Sequence, residues 1–284
     1  MAATPGMIGA TQISGSLDAK NIVMGVLQKG IELSNLESIC GKTQVPELTA
    51  TIPVATPGAV SEDLLEFEAT EIEGAEFTYV SFDLKKDRVK FSVSDEAGYK
   101  SKAGDPLGIQ KIGAGVRLAN ILDKKIVTAL QTTPQTSASA GAWSTITANP
   151  LADLGYAVDL ILPYKADFVV MPAAVHAKYL ANDLVKNIGM GNPPAMKGAV
   201  GMVPALDLNI FINSNVTAKS CIVGSSQGLA AVIGNGPVKV RAWDSEDMGA
   251  RMYQMDVWRQ VIGSVFKNSS SLSMSAYVLT SVIA

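Results

Sequence analysis

The clearest periodic segment opens at Asp105-Pro106, where a carboxylate able to accept orphan backbone N–H groups precedes a proline whose fixed φ suits a first helical turn. From there Ile109, Ile112, Val116, Ala119, Leu122, Ile126 and Leu130 recur every three or four residues. That spacing predicts one helix over 105–130 with a single apolar stripe, roughly 38 Å long. Gly113 and Gly115 each cost about 1 kcal/mol of helix propensity relative to alanine, so they are expected to permit a bend or a close backbone approach. Asn149-Pro150 repeats the cap-plus-proline signal and predicts a second helix to Leu162, stopped by Pro163, while Pro172 opens a third to about Ala181. Ile22, Val23, Val26, Leu27 and Ile31 predict a short amphipathic helix over 18–33, an outlying element behind a flexible arm at 1–16.

The remaining apolar runs alternate or are short, as strands require. Residues 49–54 and 77–84 flank the turn-forming Ala55-Thr56-Pro57-Gly58 and predict a long extended β arm. Further strands are predicted at 167–171, 208–212, 220–223, 229–233, 238–243, 252–266 and 272–283. Two segments read as loops: 132–148, rich in Thr, Ser, Ala and Gly, and 186–204, whose Gly189, Gly191, Gly198 and Gly201 mark it as long and mobile. The fold class is α+β.

Composition narrows the function. At 284 residues and 48% hydrophobic content the chain can bury one or two cores. Its 23 basic and 26 acidic residues give a net charge of −3, so direct, tight binding of a polyanion is not expected. Cys40 and Cys221 are too few for a disulfide scaffold and not spaced as a metal knuckle; free, buried thiols are expected. No run approaches about 20 apolar residues, and the first 16 residues carry no base ahead of an apolar run. Neither a membrane span nor a secretory signal is expected, and folding in the cytosol follows.

Candidate chemistry is sparse. Gly224-Ser225-Ser226-Gln227-Gly228 fits the G-x-S-x-G nucleophile elbow and follows an apolar strand, but the sole histidine, His176, precedes the serine instead of following it. The stretch after Gly228 is also too short for the helix an elbow needs. His176 has no histidine or cysteine at i+3 or i+4, and there is no EF-hand spacing, phosphate loop or dinucleotide fingerprint. No catalytic, cofactor-binding or metal residue is assigned. Charge is more informative: nine acids and no base lie between Lys42 and Lys85, namely Glu47, Glu62, Asp63, Glu66, Glu68, Glu71, Glu73, Glu76 and Asp83. Such a run is either a solvated acidic surface or an arm that lies on a basic surface of another subunit.

The order of elements resembles the major capsid protein of tailed phages, the Hong Kong 97 phage fold, over nearly the whole chain. The stretch FTYVSFDLKKDRVKFSVSDEA at 77–97 is similar to the family's strand pair leading to the step before its spine helix, here Val89 to Glu96. The segment 105–130 resembles the spine itself. Residues 203–210 followed by Cys221-Ile222-Val223-Gly224-Ser225-Ser226-Gln227-Gly228 resemble the family's axial-domain strand and its turn. The resemblance implies an N-terminal arm at 1–47, an E-loop at 48–83, a peripheral domain at 84–147 and 238–270, and an axial domain at 148–237 and 271–284. It implies a non-enzymatic subunit that assembles with itself into hexamers and pentamers of an icosahedral shell. That shell would enclose double-stranded DNA without sequence-specific binding, in the virion and, before assembly, the host cytoplasm.

Two departures qualify the resemblance. Some members weld subunits through an E-loop lysine, and none occurs from Thr43 to Leu84, which excludes that route here. Only about 45 residues precede the E-loop, so a separate scaffolding protein is expected beside a portal. The expected intersubunit contacts are Glu62, Asp63, Leu65, Glu66, Phe67, Glu68 and Glu71 of the arm, docking near Lys111, Arg117, Lys124 and Lys125 of the spine. Those four cations lie off the apolar stripe and are expected to be available to a partner. The alternatives are a cellular nanocompartment of the same fold around a protein cargo, similar to an encapsulin, and a soluble serine hydrolase.

Overall fold

In this computed structural model the chain is described at residues 26, 28, 33–56, 76–94, 106–132, 134–145, 148–188, 196–203, 205–245, 249–267, 270 and 272–284. The strands are β1 (Gly41–Gln44), β2 (Thr49–Thr56), β3 (Glu76–Asp83), β4 (Lys85–Ser94), β5 (Gln135–Ala138), β6 (Phe168–Met171), β7 (Gly201–Val203), β8 (Leu208–Ile212), β9 (Cys221–Gly224), β10 (Ala231–Ser245), β11 (Ala250–Gly263) and β12 (Ala276–Thr280). The helices are α1 (Pro106–Leu130), α2 (Pro150–Asp159), α3 (Ala173–Ala181) and α4 (Asp183–Ile188), with one 3₁₀ turn at Glu37–Ile39. The strands form a four-stranded sheet β1-β10-β11-β4, a six-stranded sheet β5-β12-β9-β6-β8-β7 and the separate hairpin β2-β3.

The six-stranded sheet is buried on both faces. Val169, Met171, Ile210, Val223, Tyr277 and Leu279 point toward α2 and α3, where Trp143, Leu154 and Tyr179 complete one core. Their strand neighbours Phe168, Val170, Phe211, Ile222 and Val278 point the other way, onto Leu122, Ile126 and Leu130 of α1. Strands covered on both sides read as continuous apolar runs, and β6 as FVVM and β9 as CIVG obey that rule. Asn149 caps α2 as expected, its side chain accepting from the Ala152 N–H at 3.2 Å. The helix ends at Asp159, three residues earlier than the proline stop suggests.

α1 joins the two sheets, and this corrects the single-stripe reading. Ala114 and Leu118 pack on Val89, Phe91, Tyr253, Met255 and Val257 of the four-stranded sheet, whereas Leu122, Ile126 and Leu130 pack on the six-stranded sheet. These five positions are spaced by four, a row that winds around a helix instead of running along it. Ile109, Ile112 and Val116, which the period placed on the buried stripe, are therefore exposed at 66%, 53% and 41%. A Cβ on Gly113 would meet nothing within 4 Å, so that glycine admits no close backbone.

Other expectations change in detail. Val26, in the segment read as outlying, is fully buried in the α1–sheet core. The loop at 132–148 contains β5, which pairs parallel to β12, and the loop at 186–204 is helical at its start and carries β7, paired antiparallel to β8. The runs predicted at 229–233 and 238–243 meet in one long strand, β10, which starts at Ala231, because Gly234-Asn235-Gly236-Pro237 forms an irregularity in the register and no chain reversal. A Cβ at Gly234 would lie 2.5 Å from the Phe82 ring, so the glycine makes room for the base of the β2-β3 hairpin. That base is held by Val45, Phe82, Leu84, Val232 and Val265. The thiol of Cys221 is buried, and that of Cys40 is half-buried and donates to the Leu36 carbonyl at 3.6 Å.

Candidate functional site

The G-x-S-x-G segment is a turn built around an acid. The Asp167 N–H donates to the Gly224 carbonyl at 3.0 Å, the Ser226 N–H donates to the Asp167 carboxylate at 2.9 Å, and the Ser226 hydroxyl donates to its other oxygen. The Asp167 carbonyl in turn accepts both the backbone and side-chain N–H groups of Asn209 at 2.9 Å. An elbow nucleophile sits in strained backbone, but the left-handed residue here is Leu229, at φ 49°. The glycines serve packing: a Cβ on Gly224 would strike the Phe168 ring, and one on Gly228 would lie 2.8 Å from Ser275. The arrangement fixes β6, β8 and β9 to one another. His176 lies on α3, and burial pushes its pKa down, so the ring is neutral near pH 7. Among the described residues no group of three His, Cys, Asp or Glu could hold a metal ion, and no helix is long and apolar enough to cross a membrane.

The basic positions of α1 divide by environment. Arg117 and Lys124 are exposed and Lys111 is half-buried. Lys125 is not available as the sequence suggests: its Nζ donates to both oxygens of Asp87 at 2.7 and 2.8 Å. Arg259 Nε reaches the same carboxylate at 2.9 Å, while another guanidinium nitrogen donates to the Leu118 carbonyl at 3.0 Å. Asp87 faces α1 because β4 alternates, and the two cations close on it because the carboxylate, 10% exposed, has little water to neutralise it.

Beside this cluster a groove of about 680 Å³ runs between α1 and β11. Ile121, Ala129, Val261 and Ile262 give it apolar walls, and Lys85, Lys124, Lys125 and Arg259 bring positive charge. With Lys125 and Arg259 held by Asp87, Lys85 and Lys124 are the exposed cations of the rim. Periodicity did not reveal this groove, since β11 comes from 250–263 and joins α1 only in three dimensions. The arm contacts Glu62, Asp63, Leu65, Glu66, Phe67, Glu68 and Glu71 lie outside the described residues.

At the N-terminal side, Asp123 of α1 is 5% exposed and accepts the Ser34 hydroxyl at 2.6 Å, with the Asn35 and Leu36 N–H groups at 3.4 Å and Asn213 at 3.5 Å. A buried acid on α1 therefore holds the segment that leads into β1. The hairpin β2-β3 projects from its apolar base with eight paired positions, Thr49↔Asp83 to Thr56↔Glu76, and Tyr79 on it is 69% exposed. At about 3.4 Å per residue it extends roughly 27 Å, and an isolated two-stranded ribbon of this kind is marginal in water.

No protein-family model matches the chain, and no curated protein matches its sequence. Solved structures do match its fold. A virus-like particle from Pyrococcus furiosus superposes with a TM-score of 0.62 at 12% identity, covering 92% of this chain and 98% of the other. The capsid of the cyanophage P-SCSP1u gives 0.60 at 11% identity, covering 89% of each chain. The mature capsid of bacteriophage PhiM1 gives 0.58 at 11% identity, covering 87% of this chain and 86% of that one. The chain has the α+β Hong Kong 97-type phage capsid fold.

Proposed function

We propose that this chain is a non-enzymatic shell subunit, the major capsid protein of a tailed phage or related virus, which assembles with itself into an icosahedral shell around double-stranded DNA. The observation that carries the reading is fold likeness to shell proteins along almost their full length, joined to a hairpin, β2-β3, that among the described residues pairs with no other strand. In this reading the hairpin is the E-loop, α1 with the four-stranded sheet is the peripheral domain, and the six-stranded sheet with α2 and α3 is the axial domain. A separate scaffolding protein and a portal complete its partners, and the virion is its place.

The acidic arm docks on a second copy. Its Glu66, Glu68 and Glu71 alternate with Leu64, Leu65 and Phe67, and the groove beside α1 offers both kinds of counterpart, Lys85 and Lys124 for the acids and Ile121, Val261 and Ile262 for the apolar side chains. Each exposed pair contributes only about 0–1 kcal/mol, but the contact recurs at every subunit.

The likeness to a virus-like particle, alongside phage capsids, supports a second reading: a cellular nanocompartment around a protein cargo. One experiment tests both. The purified chain is examined by size exclusion and negative-stain microscopy, and shells from the native source are treated with nuclease. Closed shells with protected DNA are expected; closed shells holding protein and no DNA select the compartment. A compact monomer under every salt and scaffold condition overturns both.

A further inference from the structure

The net charge of −3 hides a segregated surface. Nine of the 26 acids lie between Lys42 and Lys85, so the rest of the chain holds 17 acids against all 23 bases. Tyr253, Met255 and Val257 of β11 pack toward α1, and side chains alternate across a strand, so Gln254, Asp256 and Trp258 face the opposite way. The register places Lys86, Arg88 and Lys90 of β4 beside Trp258, Asp256 and Gln254. It places Lys239 and Arg241 of β10 beside Asp256 and Gln254 on the other flank, and Trp243 beside Met252. Five cations and two tryptophans thus share one sheet face.

That face is poorly neutralised. Asp256 is its one carboxylate among the described residues; it is 4% exposed and held by Arg88 at 2.6 and 3.0 Å. Lys86, Lys90, Lys239 and Arg241 are exposed. The Nζ atoms of Lys86 and Lys239 lie 5.9 and 5.4 Å from the Trp258 ring, which holds both ammonium groups at the surface of the sheet. Cations two residues apart on β4 stand about 6.8 Å from one another, and the rows on β4 and β10 about 9.6 Å apart. A duplex carries one phosphate per roughly 1.7 Å of axis, so the length of this grid passes about eight phosphates.

We propose that this face binds the phosphate backbone of a polynucleotide, without sequence preference. The inference goes beyond the shell reading and does not depend on closure of a shell. An acidic protein segment fits less well. The arm at 57–76 alternates acids with Leu, Phe and Ile and needs an apolar counterpart, which the groove beside α1 offers and this face, apart from Trp243 and the Trp258 ring flanked by Lys86 and Lys239, does not. The phosphate backbone is anionic throughout and has no such requirement.

The test is fluorescence anisotropy of the full-length chain with a labelled random-sequence DNA duplex, across salt concentrations of about 50 to 200 mM. The chain is compared with K90E/R241E, with the milder K90Q/R241Q, and with K111E/R117E as an equal charge change on α1. Circular dichroism reports folding and microscopy reports shell formation for each. The wild type is expected to bind at low salt and to weaken more than about tenfold across that range. K90E/R241E is expected to lose about tenfold or more and to flatten the log–log salt slope by about two, K90Q/R241Q to fall between, and K111E/R117E to change binding less than about threefold. The proposal is overturned if the wild type does not bind at low salt, or if both reversals weaken binding equally. It is also overturned if a labelled peptide of residues 57–76, and not the duplex, is the ligand that K90E/R241E releases. Loss of shells without loss of duplex binding would count against the shell reading alone.

Discussion

The carboxylate of Asp87 accepts the Nε–H of Arg259 at 2.9 Å, and Arg259 is only 5% exposed. Removing the acid would strand the guanidinium and Lys125 between α1 and the sheet. Asp87→Ala is expected to lose about 3–5 kcal/mol, the usual effect of breaking a buried ion pair from one side. Replacing Asp87 and Arg259 together by apolar residues should recover much of that loss. Urea unfolding of the wild type and both variants measures it, provided the slope stays constant.

Asp256 responds to pH. Hydrogen bonds from Arg88 hold its carboxyl below the usual carboxylate range, against the desolvation that would raise it. A depressed folded-state pKa contributes stability that is present above the unfolded value of about 3.9 and is lost as pH falls through the folded value. The stability gap between wild type and Asp256→Asn should therefore be constant at neutral pH and close below about pH 4. Melting temperatures over that range give the answer, and a gap independent of pH would contradict it.

Asp123 should control the segment that enters β1. Asp123→Ala leaves the Ser34 hydroxyl and the Leu36 N–H without their acceptor, at a cost of about 1–3 kcal/mol for a buried donor. The expected readout is local: faster amide exchange at 34–39, with the six-stranded sheet unchanged. Uniform acceleration throughout would mean that Asp123 stabilises the whole fold instead of clamping one segment.

The arm-docking reading makes a charge-swap prediction. E66K/E68K/E71K should block or slow assembly at low salt, and adding K85E/K124E should restore it. Lys125 is left in place because its reversal would break the Asp87 cluster. Salt at physiological strength screens beyond about 8 Å, so the wild type itself should assemble more slowly as salt rises. Light scattering follows assembly. Normal assembly of the triple variant, or no recovery in the combined one, would be incompatible with this docking.

Capping chemistry and period made α1, α2 and α3 legible in the sequence, because Asn149, Pro150 and Pro172 act within one turn of their own helices. The hairpin β2-β3 was legible for a similar reason, as alternation and local pairing coincide. β5 was not, since Gln135, Thr136, Ser137 and Ala138 have no strand-like pattern and are extended only because β12, more than a hundred residues later, accepts them. Residues 229–233 and 238–243 read as two strands because local rules cannot see Phe82 and Leu84 packing where Gly234 and Gly236 leave room for them. The buried acids Asp87 and Asp123 and the basic sheet face were invisible for the same reason: each depends on register between segments far apart in sequence. Exposure of Ile109 follows from α1 serving two sheets, which no single period encodes.

Two of the three parallel pairings among the described residues, β1 with β10 and β5 with β12, join an early segment of the chain to a late one. During synthesis neither sheet can close until its late strands have been made, and β12 at 276–280 lies between β5 and β9. The groove beside α1 likewise lacks a wall until β11 has emerged. A nascent chain of this topology folds slowly, because long-range pairing must wait for distant partners. In the arm-docking reading it also cannot present a complete docking surface to a neighbour on the same messenger, so the strand order would itself defer association until β11 and β12 have been made.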